Sequence, residues 1–105
     1  MPTIISHSIA PADVACGDRI QINVQVSFNG SPRDVTVLCE IEAPCHFSTG
    51  ATRVSLRRTG PSPQSFRFVE QVRCGAGTFA PQIRITASDT FEAADQRFDS
   101  IIVHC

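Results

Sequence analysis

The chain contains no Lys, no Trp and no Tyr, a single Met, and Leu only at positions 38 and 56. Strong helix formers are therefore scarce, whereas Ile, Val and seven Phe supply the apolar content, and β-structure is the expectation. No apolar run approaches the roughly 18 residues of a membrane span. Met1 to Ala10 lacks the basic start and apolar middle of a secretory signal, so the chain reads as soluble, without membrane insertion. There is no CxxC or HxxxH pair of the kind that builds structural zinc sites, and no compact DxDxDG loop for calcium. A marked basic excess is missing too: the formal charge of −1 speaks against a dedicated nucleic-acid binder. Repeats, low-complexity stretches and linkers are absent, and 105 residues suit one domain, 1–105, with one core.

What is present centres on RIQINVQVSF, residues 19–28, where Ile20, Ile22, Val24, Val26 and Phe28 alternate with polar residues. A period of two held over ten residues predicts a strand with one buried face. Before it, Thr3 to Ile9 reads as a first strand, and PADVACGD as a loop ending near a Gly that can take positive φ. The turn signal NGSP follows, then DVTVLCEIE, with Val35, Val37, Cys39 and Ile41 inward. A shorter strand from Thr52 to Arg57 is expected to bury Val54 and Leu56. In Ser65 to Cys74 the alternation would bury Glu70, and a bulge near Val69 avoids that cost. Gln82 to Ser88 and Ser100 to His104 complete the set, the latter reached through DTFEAADQRFD. About seven short strands at such spacing predict an all-β, immunoglobulin-like, two-sheet antiparallel sandwich, with a small closed barrel as the alternative.

In that topology Cys16, Cys45, Cys74 and Cys105 gather toward one pole, and Cys39 points into the core as a small hydrophobe. Cys16 with Cys74 and Cys45 with Cys105 are the preferred disulfides, since the second and fifth strands are neighbours. Free thiols, and a zinc site completed by His46 and His104, stay open as alternatives. Cys45-His46 superficially pairs a nucleophile with a base, but adjacent residues on an extended chain point apart. His7 reads as a surface or edge residue.

Outward positions of the second, fourth and fifth strands collect Arg19, Gln21, Asn23, Gln25, Arg53, Arg57, Arg67 and Arg73, with no carboxylate unless Glu70 turns outward at the bulge. The acids gather elsewhere: Glu40 and Glu42 on the other sheet, and Asp89, Glu92, Asp95 and Asp99 in the loop before the last strand. The Arg-only basic content has a bland origin in base composition. As a functional feature, this electrically two-sided surface suits an anionic partner, or the acidic side of another copy. The acidic loop is a weak calcium candidate, and its Phe91 and Phe98 are expected to pack the end of the fold.

Gly17-Asp18 before the second strand, the Gly77-Thr78-Phe79 turn and the acidic last hairpin, IRITASDTFEAADQRFDSIIV, resemble the immunoglobulin-like CARDB-type (cell-adhesion-related) modules of bacterial surface and secreted proteins. The resemblance spans most of the chain and implies a spacer, adhesion or carbohydrate-associated role, with no site residue transferred. A non-enzymatic module outside the reducing cytoplasm follows, with a protein, anionic surface or glycan as partner, and no metal or cofactor. The alternative is a self-associating structural protein of a virion, as a decoration or tail component, or of a cell-surface appendage.

Overall fold

The alternation at residues 19–28 does what its period requires: Ile20, Ile22, Val24 and Val26 are buried, and the residues between them face outward. The computed structural model describes residues 2–89 and 94–105. Within them lie eleven strands: β1 (Thr3–Ala10), β2 (Asp13–Ala15), β3 (Arg19–Ser27), β4 (Arg33–Ile41), β5 (His46–Phe47), β6 (Arg53–Gly60), β7 (Gln64–Arg73), β8 (Thr78–Phe79), β9 (Gln82–Ser88), β10 (Asp95–Ser100) and β11 (Ile102–His104). They form a four-stranded sheet β1-β3-β7-β5, a four-stranded sheet β10-β9-β4-β6, and a small sheet β2-β11-β8. The all-β class is as expected, but three sheets replace two. Of the four added strands, β2, β5 and β8 are two or three residues long, too short for any periodicity to announce them, and the fourth is β10.

Inward residues of both larger sheets share one core, including Ile22, Val26, Phe66 and Phe68 from one and Val35, Val37, Ile83 and Ile85 from the other. Two expectations about it fail. The ladder between β3 and β7 runs from Arg19↔Gln71 to Val26↔Gln64 without a shift, so there is no bulge at Val69. Val69 stays outward and exposed, and Glu70 keeps the inward phase but is only half-buried, retaining contact with water. The bulge lies in β1 instead, between Ile4 and Ser6, and leaves Ile5 exposed. On β6, Leu56 is exposed and Val54 only partly buried, because this strand is an edge with a neighbour on one side alone.

The two lateral sides of the fold differ. On one, β1 meets β10 across the sheets: Ile4 N–H donates to Asp95 Oδ2 at 2.8 Å, and His7 Nδ1 lies 2.6 Å from Asp99 Oδ2. On the other, β6 crosses to β7 through Pro61–Pro63, and the Gln64 side chain holds that corner by donating to the carbonyls of Arg33 and Gly60 at 3.0 and 2.9 Å. The sequence DQRFD, expected as loop, is strand β10, with Phe98 outward and 54% exposed instead of packing an end. Phe91 and Glu92 lie outside the described residues.

At the pole the register decides the cysteine partners. Parallel β2–β11 pairing sets Ala15 beside His104, one step from Cys16 and Cys105; antiparallel β5–β7 pairing sets His46 beside Arg73, one step from Cys45 and Cys74. The disulfides are Cys16–Cys105 and Cys45–Cys74, an exchange of the expected partners within the expected four. The Cys16–Cys74 expectation fails narrowly, since the Cys74 N–H donates to Cys16 Sγ at 3.4 Å. With all four sulfurs bonded, none is a thiolate for zinc. Nearby, Gly17 has φ +88°, and the Arg73 guanidinium packs over it so closely that a Cβ would lie 3.3 Å from Nη2.

Cys39 is the free thiol, fully buried on β4. Burial, and secondly the charge of Glu70, push its pKa up to about 12 from 9.0.

Two outcomes follow from the cysteines. Peptide mapping without reductant should recover Cys16 with Cys105 and Cys45 with Cys74, and a Cys16–Cys74 fragment would refute the β5 pairing. Replacing the first pair by Ser should cost about 4 to 5 kcal/mol and the second about 3 to 4, following loop lengths of 89 and 29 residues. For Cys39, the native state keeps a proton that the unfolded chain releases above pH 9, so its stabilising contribution is complete below pH 9 and is lost as pH rises toward about 12. With no Lys or Tyr to titrate in that window, denaturant unfolding should show a loss of about 1.4 kcal/mol per pH unit, and Cys39→Ala should flatten it.

Candidate functional site

The outer face of β1-β3-β7 is the candidate. Register places side chains in rows across it: Ser8, Asn23 and Arg67; Ser6, Gln25 and Ser65; Ala10, Gln21 and Val69; then Arg19 and Gln71. A shallow groove of about 470 Å³ crosses the first two rows, and Arg58 reaches it from β6 past the Phe66 ring, 6.0 Å from the ring centre. Gln21 donates to Asn23 Oδ1 at 3.2 Å, so the amides are partly organised before any ligand arrives. No carboxylate occupies an outward position on these three strands.

Six of the eight side chains expected on this face are there: Arg19, Gln21, Asn23, Gln25, Arg67 and Arg73. Arg53 and Arg57 are not. They sit on β6, which pairs with β4 in the other sheet and not beside β7, because the short connection at Pro61–Pro63 crosses between sheets. Arg57 is tied there to Asp34, whose carboxyl the Thr59 hydroxyl, and then Arg57, hold below its ordinary value.

The acids also differ from expectation. Glu40 accepts from Arg84 at 2.8 Å, Asp89 from Arg33 at 2.9 Å and Asp95 from Arg97 at 2.6 Å, while Asp99 is engaged by His7. The second sheet is thus largely neutralised rather than acidic. Unpaired charge is concentrated in arginine: among the described residues, Arg19, Arg53, Arg58, Arg67 and Arg73 have no carboxylate partner. Sequence reasoning missed Arg58 because the expected strand ends at Arg57, whereas β6 runs on to Gly60.

The Asp99–His7 pair has the form of an acid orienting a base, yet a nucleophile is missing. Ser6 and Ser8 flank His7 on a strand and point to the opposite face, and no hydroxyl bonds to its ring among the described residues. His46 and His104 are likewise engaged, with the Phe47 carbonyl at 2.9 Å and Asp13 at 2.8 Å.

No family model and no curated protein matches the chain. Among solved structures it is similar to part of trypsin-activated alpha-2-macroglobulin from Escherichia coli, with 14% identity and TM-score 0.65 over 94% of this chain and 7% of that one. It is also similar to the Pseudomonas fluorescens alkylpurine DNA glycosylase AlkC bound to DNA containing an abasic site analog, with 13% identity and TM-score 0.62 over 99% of this chain and 30% of that one. The sporulation control protein Spo0M from Bacillus subtilis matches with 12% identity and TM-score 0.54 over 99% of this chain and 49% of that one. This chain therefore spans less than half the length of each, and at such identities the likeness is one of fold alone.

Proposed function

We propose that this chain is a non-enzymatic, immunoglobulin-like binding or adhesion module of the CARDB type, working outside the reducing cytoplasm, whose β1-β3-β7 face takes an acidic glycan. The observation that carries the reading is the acid-free face, on which Arg67 lines a groove of serine and amide side chains while Arg19 and Arg73 stand without a carboxylate partner further along the same strands. Guanidinium groups favour carboxylate and sulfate through paired hydrogen bonds, and Ser, Asn and Gln suit sugar hydroxyls. The strand orders β1-β3-β7 and β10-β9-β4, with β2 parallel to β11, support the immunoglobulin-like assignment. Two disulfides support an oxidising location, and the small share of each structural neighbour that is matched supports a modular role. Self-assembly as a virion or appendage component loses its charge argument, because most acids that would receive the arginine face are already paired.

The test is binding to heparin and to polygalacturonate, with neutral dextran as control. Arg19→Ala combined with Arg67→Ala should weaken the acidic glycans at least about tenfold, the loss expected for one or more charge-assisted pairs. Arg53→Ala on the other sheet should change little, and affinity should fall between about 0.05 and 0.3 M NaCl. Equal binding by both variants would sink the proposal.

A further inference from the structure

The side of the fold bounded by β6 and β7 is open. β7 is paired with β3 from Gln64 to Gln71, but on its other edge only Val72 and Arg73 meet β5. The stretch from Ser65 to Gln71 therefore has one free edge, closed at one end by β5 and at the other by the Pro61–Pro63 crossing. The direction of its backbone groups follows from the ladder. Val72 gives both its N–H and its carbonyl to the β3 side, to Asp18 O at 3.1 Å and from Gly17 N at 2.7 Å. In an antiparallel strand without a bulge such residues alternate, so the N–H and C=O groups of Ser65, Arg67, Val69 and Gln71 point to the free edge. Among the described residues no strand pairs with Ser65, Arg67 or Val69 on that edge.

β6 flanks the same opening with its own unpaired edge and presents partly exposed Val54 and exposed Leu56 toward it. Four of the five arginines lacking a carboxylate lie on these two strands: Arg53 and Arg58 on β6, Arg67 and Arg73 on β7. Arginine on an edge ordinarily guards against pairing with another copy, and here the β7 edge of a second molecule would set Arg67 against Arg67. The same charge attracts an acidic strand.

We propose that the free edge of β7 receives an extended acidic segment of a partner protein, which adds as a strand beside it. Its backbone pairs with Arg67, Val69 and Gln71. Apolar residues at every second position cover Val54 and Leu56, and the acidic residues between them meet Arg58 and Arg67. The site adjoins the glycan face, sharing Arg58 and Arg67 with its groove and Val69 and Gln71 with its rows.

The probe is a capped peptide of about seven residues alternating glutamate and valine, compared with one alternating lysine and valine, and read by amide exchange on the intact chain. The acidic peptide should slow exchange at Arg67, Val69 and Gln71 at least about tenfold, and the basic one should not. Val69→Pro removes one free donor without touching the β3 ladder and should abolish the effect. Should that variant not fold, the acidic peptide N-methylated at every amide serves on the native chain and should fail to protect. Absent protection, equal protection by the basic peptide, or protection by the N-methylated one overturns the proposal. A response confined to Arg19, Asn23 and Gln25 also overturns it while leaving the glycan face standing.

Discussion

From Arg19 opposite Gln71 to Val26 opposite Gln64, β3 and β7 are paired without interruption, and most of what distinguishes this molecule depends on that ladder. Because side chains alternate with a period of two, one unbroken register settles together that Phe66 and Phe68 enter the core and that Arg67 and Val69 stay outside. A bulge at Val69 would have turned Glu70 to water and reversed every position beyond it. The ladder instead keeps Glu70 in phase near the end of the sheet, where half-burial leaves the carboxylate hydrated. Nine residues of apolar alternation on β3 outweigh the discomfort of one acid on its neighbour.

The same ladder makes the fold laterally unequal. Where β1 and β10 meet, backbone and side-chain polar groups satisfy one another through Asp95 and Asp99, so that side is stitched shut. Across the molecule, β6 departs into the other sheet and leaves two edges with arginine along them. Exposed edges are hazards in a soluble domain, and charge is the common remedy. Here the charged side chains at the outward positions of these strands are all arginine.

At the pole, two bridges rest on two small ladders. Cys74 stands between Cys16, whose sulfur its N–H touches, and Cys45, to which it is bonded. The choice between those partners belongs to β5, two residues long, and to the parallel pairing of β2 with β11, which claims Cys16 for Cys105. Local pattern carries no trace of either, because a strand of two or three residues has no period to read.

The sequence by itself determined the β class, the inward sets of β3, β4 and β9, the polar and basic outer row of β3, and the gathering of four cysteines at one end. Each of these follows from alternation along a single strand, which is local. Only the tertiary structure decided which sheet β6 joins, and so that Arg53 and Arg57 leave the face while Arg58 reaches its rim; which cysteines bond; and which carboxylates are already neutralised. Those are matters of pairing between segments distant in the chain, where partner and register are set by crossings such as Pro61–Pro63 and by competition for edges. Alternation says which way a side chain points, and only the neighbour strand says what it points at.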